Sequence, residues 1–194
     1  MILETRFSEK TRTYTGSELR PHFLLTELGV RGSGVGAWIG PCDVKTEHLV
    51  DWEDRLEGEH IAAKEMVHFI AEFFGAGLKE GVLFQRLVIA SMAEGLLHSF
   101  KKNKASARVH SVIRSGNDLF VDERKLSVSI VTASPVSVLM HLGVNIDPTG
   151  APVSAIGLKE LEIPPHAWAL EILARISEEW QGITWACSKV RPVI

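Results

Sequence analysis

Asp118 and Lys125 stand seven positions apart, on either side of the polar run Asp122-Glu123-Arg124. Across a hairpin, that spacing brings a carboxylate and an ammonium to a common end of a small sheet. An ammonium held there offsets charge developing on a ligand carboxylate or phosphate. An exposed hairpin ion pair of little energetic weight fits the same spacing.

Other residues suggest different chemistry. Glu65, His68 and Glu72 recur at steps of three and four, one stripe of a helix. Joined by Asp51 and Asp54, His68 and Glu72 would make a divalent-metal site of the hydrolase kind; a solvated acidic helix face is the competing reading. Cys42 follows Gly40-Pro41 and precedes Asp43. It would act as a nucleophile if His68 or His141 lay near, or else as a small buried apolar residue. His141 and Asn145 sit four apart in an apolar run, so a strand would present both on one face, with Ser129 and Ser137 joining it. They read either as ligand contacts or as buried polar groups satisfied within the fold. Arg31, Arg86 and Arg114 are candidates for holding an anion, and Arg86, inside an apolar stretch, demands a partner.

The elements that must position these groups follow from periodicity. Phe23–Leu25 and Val35–Ile39 read as strands. Segment 59–74, with Ala62, Met66, Phe69, Ile70 and Phe73 at three- and four-residue steps, reads as a helix stopped at Gly75. Leu83–Lys102 reads as a second helix, entered through a short strand at Val82–Phe84, with Lys101, Lys102 and Lys104 at its C-terminal end. Ala107–Arg114, Leu119–Val121, Lys125–Thr132 and Val136–Ile146 read as strands. Pro164-Pro165 opens a last helix over Ala167–Gln181. Grouped strands and grouped helices make an α+β pattern: an antiparallel-rich sheet with helices packed on one face.

The chain has 194 residues, 45% hydrophobic and 23% charged, which fits one folded domain over 1–194 and argues against disorder. A net charge of -3 gives no support to nucleic-acid binding. The stretch 81–100 contains Gln85, Arg86, Glu94 and His98, which exclude a membrane span. Two distant cysteines and a charged N-terminus lead to the expectation of a reducing, cytoplasmic setting. The valine-rich strands would suit pairing across a homodimer.

Segment 114–146 resembles the biotin and lipoate protein ligases, whose core is shared with class II aminoacyl-tRNA synthetases. The likeness rests on Asn117-Asp118, Lys125-Leu126 and Gly143-Val144-Asn145, preceded by a long helix. Over nearly the whole chain, Gly40-Pro41-Cys42-Asp43-Val44, Met66-Val67-His68-Phe69, Gln85-Arg86-Leu87 and Lys125 to Ile130 are similar to the domain of unknown function 366 family, placed with the same fold. The resemblance implies a carboxylate-activating or acyl-transferring enzyme. Lys125 would lie beside the acyl-adenylate and Asp118 would position it. Cys42 would be a nucleophile, and Arg31 or Arg86 would clamp phosphate. Asn117, Ser127, Ser129, His141 and Asn145 would line the pocket. ATP with Mg would be the cofactor, and a small-molecule carboxylate or nucleotide the partner. A metal-dependent hydrolase with a single divalent ion, and a non-catalytic binding module, are the alternatives.

Overall fold

The computed structural model describes residues 3–102 and 109–193. Its element order is β1 (Glu4–Ser8), α1 (Phe23–Leu28), β2 (Gly34–Val44), a 3-10 turn at Thr46–His48, α2 (Trp52–Leu56), β3 (Ile61–Phe74), α3 (Leu78–Lys102), β4 (Val112–Ser115), β5 (Asp118–Val121), β6 (Arg124–Lys125), β7 (Ser127–Ala133), β8 (Ser137–Asp147) and α4 (Pro165–Ser188). Five strands form the main sheet in the order β1-β2-β3-β8-β7; only β1 runs parallel to its neighbour. β4, β5 and β6 form a small antiparallel sheet beside it. The α+β architecture expected from the sequence is the one observed.

The largest departure concerns 59–74, which is a strand and not a helix. β3 is central, hydrogen-bonded to β2 on one side and β8 on the other. Both of its faces are covered, so it shows an almost unbroken apolar run instead of alternation. In such a run, steps of three and four residues arise without a helix.

The two faces of β3 serve different neighbours. Val67, Phe69, Ala71 and Phe73 join the core built with α3 and α4, where Phe69 meets Trp168 edge-on and Phe73 stacks on Trp180. Met66 and Ile70 join a second cluster with Trp38, Tyr14, Phe23 and Leu24. The long helices thus share one face, as expected, while the short α1 and the segment leading to it cover the other. Phe23–Leu25 opens that helix and is not a strand. Val82–Phe84 lies within α3. Val136–Ile146 and the last helix are found where expected, α4 running on to Ser188. Lys104 and the start of the strand expected from Ala107 lie outside the described residues.

At the hairpin, Asp122 and Glu123 both adopt left-handed backbone, φ 48° and 67°. That conformation closes a two-residue turn whose twist suits the flanking strands. The Asp122 carboxylate accepts from the amides of His110 and Ser111, which holds the strained corner in place.

Candidate functional site

Lys125 ends β6 and Asp118 begins β5. Because Phe120 faces Lys125 across the hairpin, Asp118 is the diagonal neighbour on the same side. Lys125 Nζ lies 2.8 Å from Asp118 Oδ2, both side chains about a quarter exposed. The Lys125 backbone is bound on two sides: its amide donates to Ser154, and its carbonyl accepts from Ile156 and from Asn145 Nδ2. The amine therefore hangs from a fixed point on the wall of a cavity of about 440 Å³. That volume accommodates a small-molecule ligand.

The cavity gathers much of what the sequence singled out. Asp118, Lys125, Asn117, Ser129, His141, Asn145, Asp51 and Asp54 all line it. Asn117 is held in place from α3. Arg86 Nε donates to Asn117 Oδ1, Ser129 Oγ donates to the Asn117 carbonyl, and buried Gln85 donates to Ser129 Oγ. Gln85 emerges as a positioning residue that its place in an apolar run disguised. Ser129 pairs with Leu142, so its side chain takes the α3 side of the sheet and not the face of His141. The mouth is acidic: Glu57 and Glu59 join Asp51, Asp54 and Asp118 there, against Lys125, His48 and His60. Burial, and then the neighbouring Asp51, push the Asp54 carboxyl above its ordinary range, with Lys125 opposing.

Four expectations are corrected. Cys42 is buried outside the cavity lining, and its thiol, 3.9 Å from the Ile61 carbonyl, is pushed up to about 12 by burial and then by Asp43. A thiol so far from ionising is no nucleophile. Arg31 is exposed away from the cavity, its backbone amide bound to Glu4. Arg86 too is exposed and reaches the site only through Asn117. Ser127 is sealed, its hydroxyl accepting from the Leu119 amide.

The metal centre does not assemble either. His68 and Glu72, four residues apart on a strand, are separated by roughly 13 Å of backbone instead of one helical turn. Glu72 accepts from the His22 amide and the Ser137 hydroxyl. His68 binds protein atoms on both ring nitrogens, and both residues lie outside the cavity lining with Asp51 and Asp54 at its rim. Among the described residues, no three His, Cys, Asp or Glu side chains converge as a metal-binding group.

At the deep end of the cavity the sequence points to His141 but not to Tyr14 or to the pairing of His141 with His68. Tyr14 stacks on His141 with ring centroids 3.6 Å apart, and His141 bonds to His68 at 3.2 Å. His68 sits diagonally across from His141 because it faces Gly143, whose missing side chain leaves room for both rings. Burial holds His68 near 4 and, with His68 beside it, keeps His141 well below the ordinary histidine range. Both rings are neutral at physiological pH.

Comparison with known proteins places the chain. It belongs to the family described as a domain of unknown function (DUF366), whose model matches residues 3–191. An uncharacterised protein of Methanocaldococcus jannaschii is 30% identical over 188 residues, covering 93% of this chain and 81% of that protein. A solved protein of unknown function from Pyrococcus horikoshii superposes with a TM-score of 0.89 at 34% identity, over 99% of this chain and 100% of that one. More distant in sequence is a biotin protein ligase from Aquifex aeolicus in complex with biotin and ATP, with a TM-score of 0.52 and 16% identity over 90% of this chain and 68% of that one. A biotin acetyl coenzyme A carboxylase synthetase from Helicobacter pylori with bound biotinylated ATP gives 0.52 and 12% over 91% and 75%. The fold is therefore biotin ligase-like. Among the described residues no helix is long and apolar enough to cross a membrane.

Proposed function

We propose that the cavity binds a small-molecule carboxylate, with Lys125 holding the carboxylate and Asp118 holding Lys125, in an enzyme of the carboxylate-activating or acyl-transferring type. The observation that carries this is the ion pair itself. It sits on a concave wall, partly shielded from water, with Asn117 and Asn145 beside it. A carboxylate entering there meets an ammonium already aimed, whose charge is worth more in a shielded site than in open water. That two structural neighbours were captured with biotin, ATP or biotinylated ATP supports a small-molecule site on this fold.

Nucleotide is a poorer fit to the described lining. A triphosphate needs several cationic or amide donors, whereas the mouth carries five carboxylates and neither Arg31 nor Arg86 is in the wall. The same two arginines, together with sealed Cys42, favour the second reading, a binding module that keeps the pocket without the chemistry.

A thermal-shift screen with lipoate, biotin, octanoate and amino acids, each with and without ATP and Mg, tests both readings, combined with a pyrophosphate-release assay. A carboxylate that raises the midpoint in the wild type but not in Lys125→Ala supports the site. Pyrophosphate release supports activation, and its absence beside clear binding supports the module. Failure of every carboxylate to bind sinks the proposal. Lys125→Ala itself is expected to cost less than about 1 kcal/mol of stability, because its pair is part-exposed.

A further inference from the structure

The deep wall of the cavity is built around a nitrogen whose protonation is dictated several bonds away. His68 Nε2 lies 3.2 Å from two backbone carbonyls, those of Gly40 and Pro41. Carbonyls only accept, so Nε2 carries the hydrogen, and a neutral ring leaves Nδ1 bare. The partner of that bare nitrogen is His141 Nε2, which must therefore donate. His141, neutral in turn, is left with a bare Nδ1. This ring is only 3% exposed and forms part of the cavity wall. Nε2 is the only one of its nitrogens engaged by the protein among the described residues. Tyr14, stacked on the ring face, and the bond to His68 keep it from turning freely.

We propose that His141 Nδ1 is a dedicated hydrogen-bond acceptor for the head of the ligand, so that the cavity selects molecules bearing an N–H or O–H donor at the end remote from Lys125. His141 stands four residues along β8 from Asn145, which binds the Lys125 carbonyl. The ligand class is thus a molecule with an N–H or O–H donor at its head and a tail running toward Asn145, four residues or about 13 Å along the strand; on the reading proposed for Lys125, that tail ends in a carboxylate. The relay through His68 matters because it forbids the opposite tautomer, which would present a donor and select the opposite ligands. This inference rests on reading the cavity as a ligand site, though not on the chemistry assigned to Lys125.

Nitrogen-15 NMR of the imidazole rings in the full chain reads the tautomers directly. Hydrogen on Nε2 of both His68 and His141 at neutral pH is expected; hydrogen on Nδ1 of His141 overturns the proposal. Two probes that differ only in the donor, 2-pyrrolidinone and N-methyl-2-pyrrolidinone, are then titrated. The N–H lactam should shift the His141 Nδ1 resonance and bind roughly fivefold more tightly than its N-methyl partner, the size of one buried hydrogen bond. His141→Phe keeps the stack on Tyr14 and should erase that preference. Equal response to both lactams, or a preference that survives in His141→Phe, sinks the idea. Lys125→Ala should leave the lactam response intact. A failed carboxylate screen with a normal lactam response therefore counts against the activation reading alone, and the reverse pattern against this one.

Discussion

His68 and His141 couple the site to pH through stability as well as recognition. In the unfolded chain each would titrate near 6.5, whereas burial holds the folded His68 near 4 and His141 well below its ordinary value. Below pH 6.5 the unfolded state therefore binds more protons than the folded one, so stability falls as pH falls and is regained as it rises. His68 alone should cost about 2 kcal/mol between pH 7 and pH 5. Urea denaturation at pH 7, 6 and 5 measures this, and a flat profile across that window would contradict the buried neutral pair. Lys125 and Asp118 were legible in the sequence because a hairpin turn is local. Seven residues and a polar corner suffice to place them together. The histidine pair was not, since its partners are 73 residues apart and meet only through the register of β3 on β8. Cys42 misled for a related reason. Its neighbours in sequence suggest an exposed turn, but Gly40–Val44 is the end of a strand on which Pro41 and Asp43 face outward and Cys42 faces inward.

The misreading of β3 shows why periodicity alone failed there. A strand buried on both faces has no reason to alternate, so His68 and Glu72 looked like one helical stripe when in fact they point the same way at well-separated levels. What the segment did show was aromatic and β-branched content over fourteen residues between Gly58 and Gly75, compatible with a long strand. The adjoining strands owe their close cover to glycines at two positions of opposite tolerance. A Cβ at Gly40 would run into the backbone carbonyl of Arg12, which also accepts from Trp38 Nε1 and cannot yield. Gly40→Ala is expected to lose about 2 kcal/mol or more. A Cβ at Gly143 would meet Met66 Cε at 2.8 Å, the far end of a flexible side chain that lines the cavity. Gly143→Ala should cost under about 1 kcal/mol, since Met repacks readily, while narrowing the pocket and weakening ligand binding. Chemical denaturation of the two variants side by side checks the contrast. Similar losses would mean that the backbone contact at Gly40 relaxes as easily as a methionine does.

The burial pattern divides the molecule into a body and an extension. Helix α4 packs through Trp168, Ala169, Ile172, Leu173 and Ile176, and its last inward contact is Trp180, stacked on Phe73 at 5.3 Å and edge-on to Phe84 at 5.4 Å. From Gln181 to Val193 every residue is exposed, although the helix runs on to Ser188. The continuation therefore draws no stability from the core, and a few turns of helix are marginal on their own. Ending the chain after Gln181 removes Ile183 and Trp185, both exposed, while keeping the aromatic trio that closes the core. The thermal midpoint of that shortened protein should stay within about 2 °C of the full chain, and its response to ligands of the cavity should be unchanged. Differential scanning calorimetry at two protein concentrations measures it. A drop of many degrees in the shortened chain would show that 182–193 is buried in solution. Concentration dependence confined to the full-length protein would identify a second copy as the covering surface.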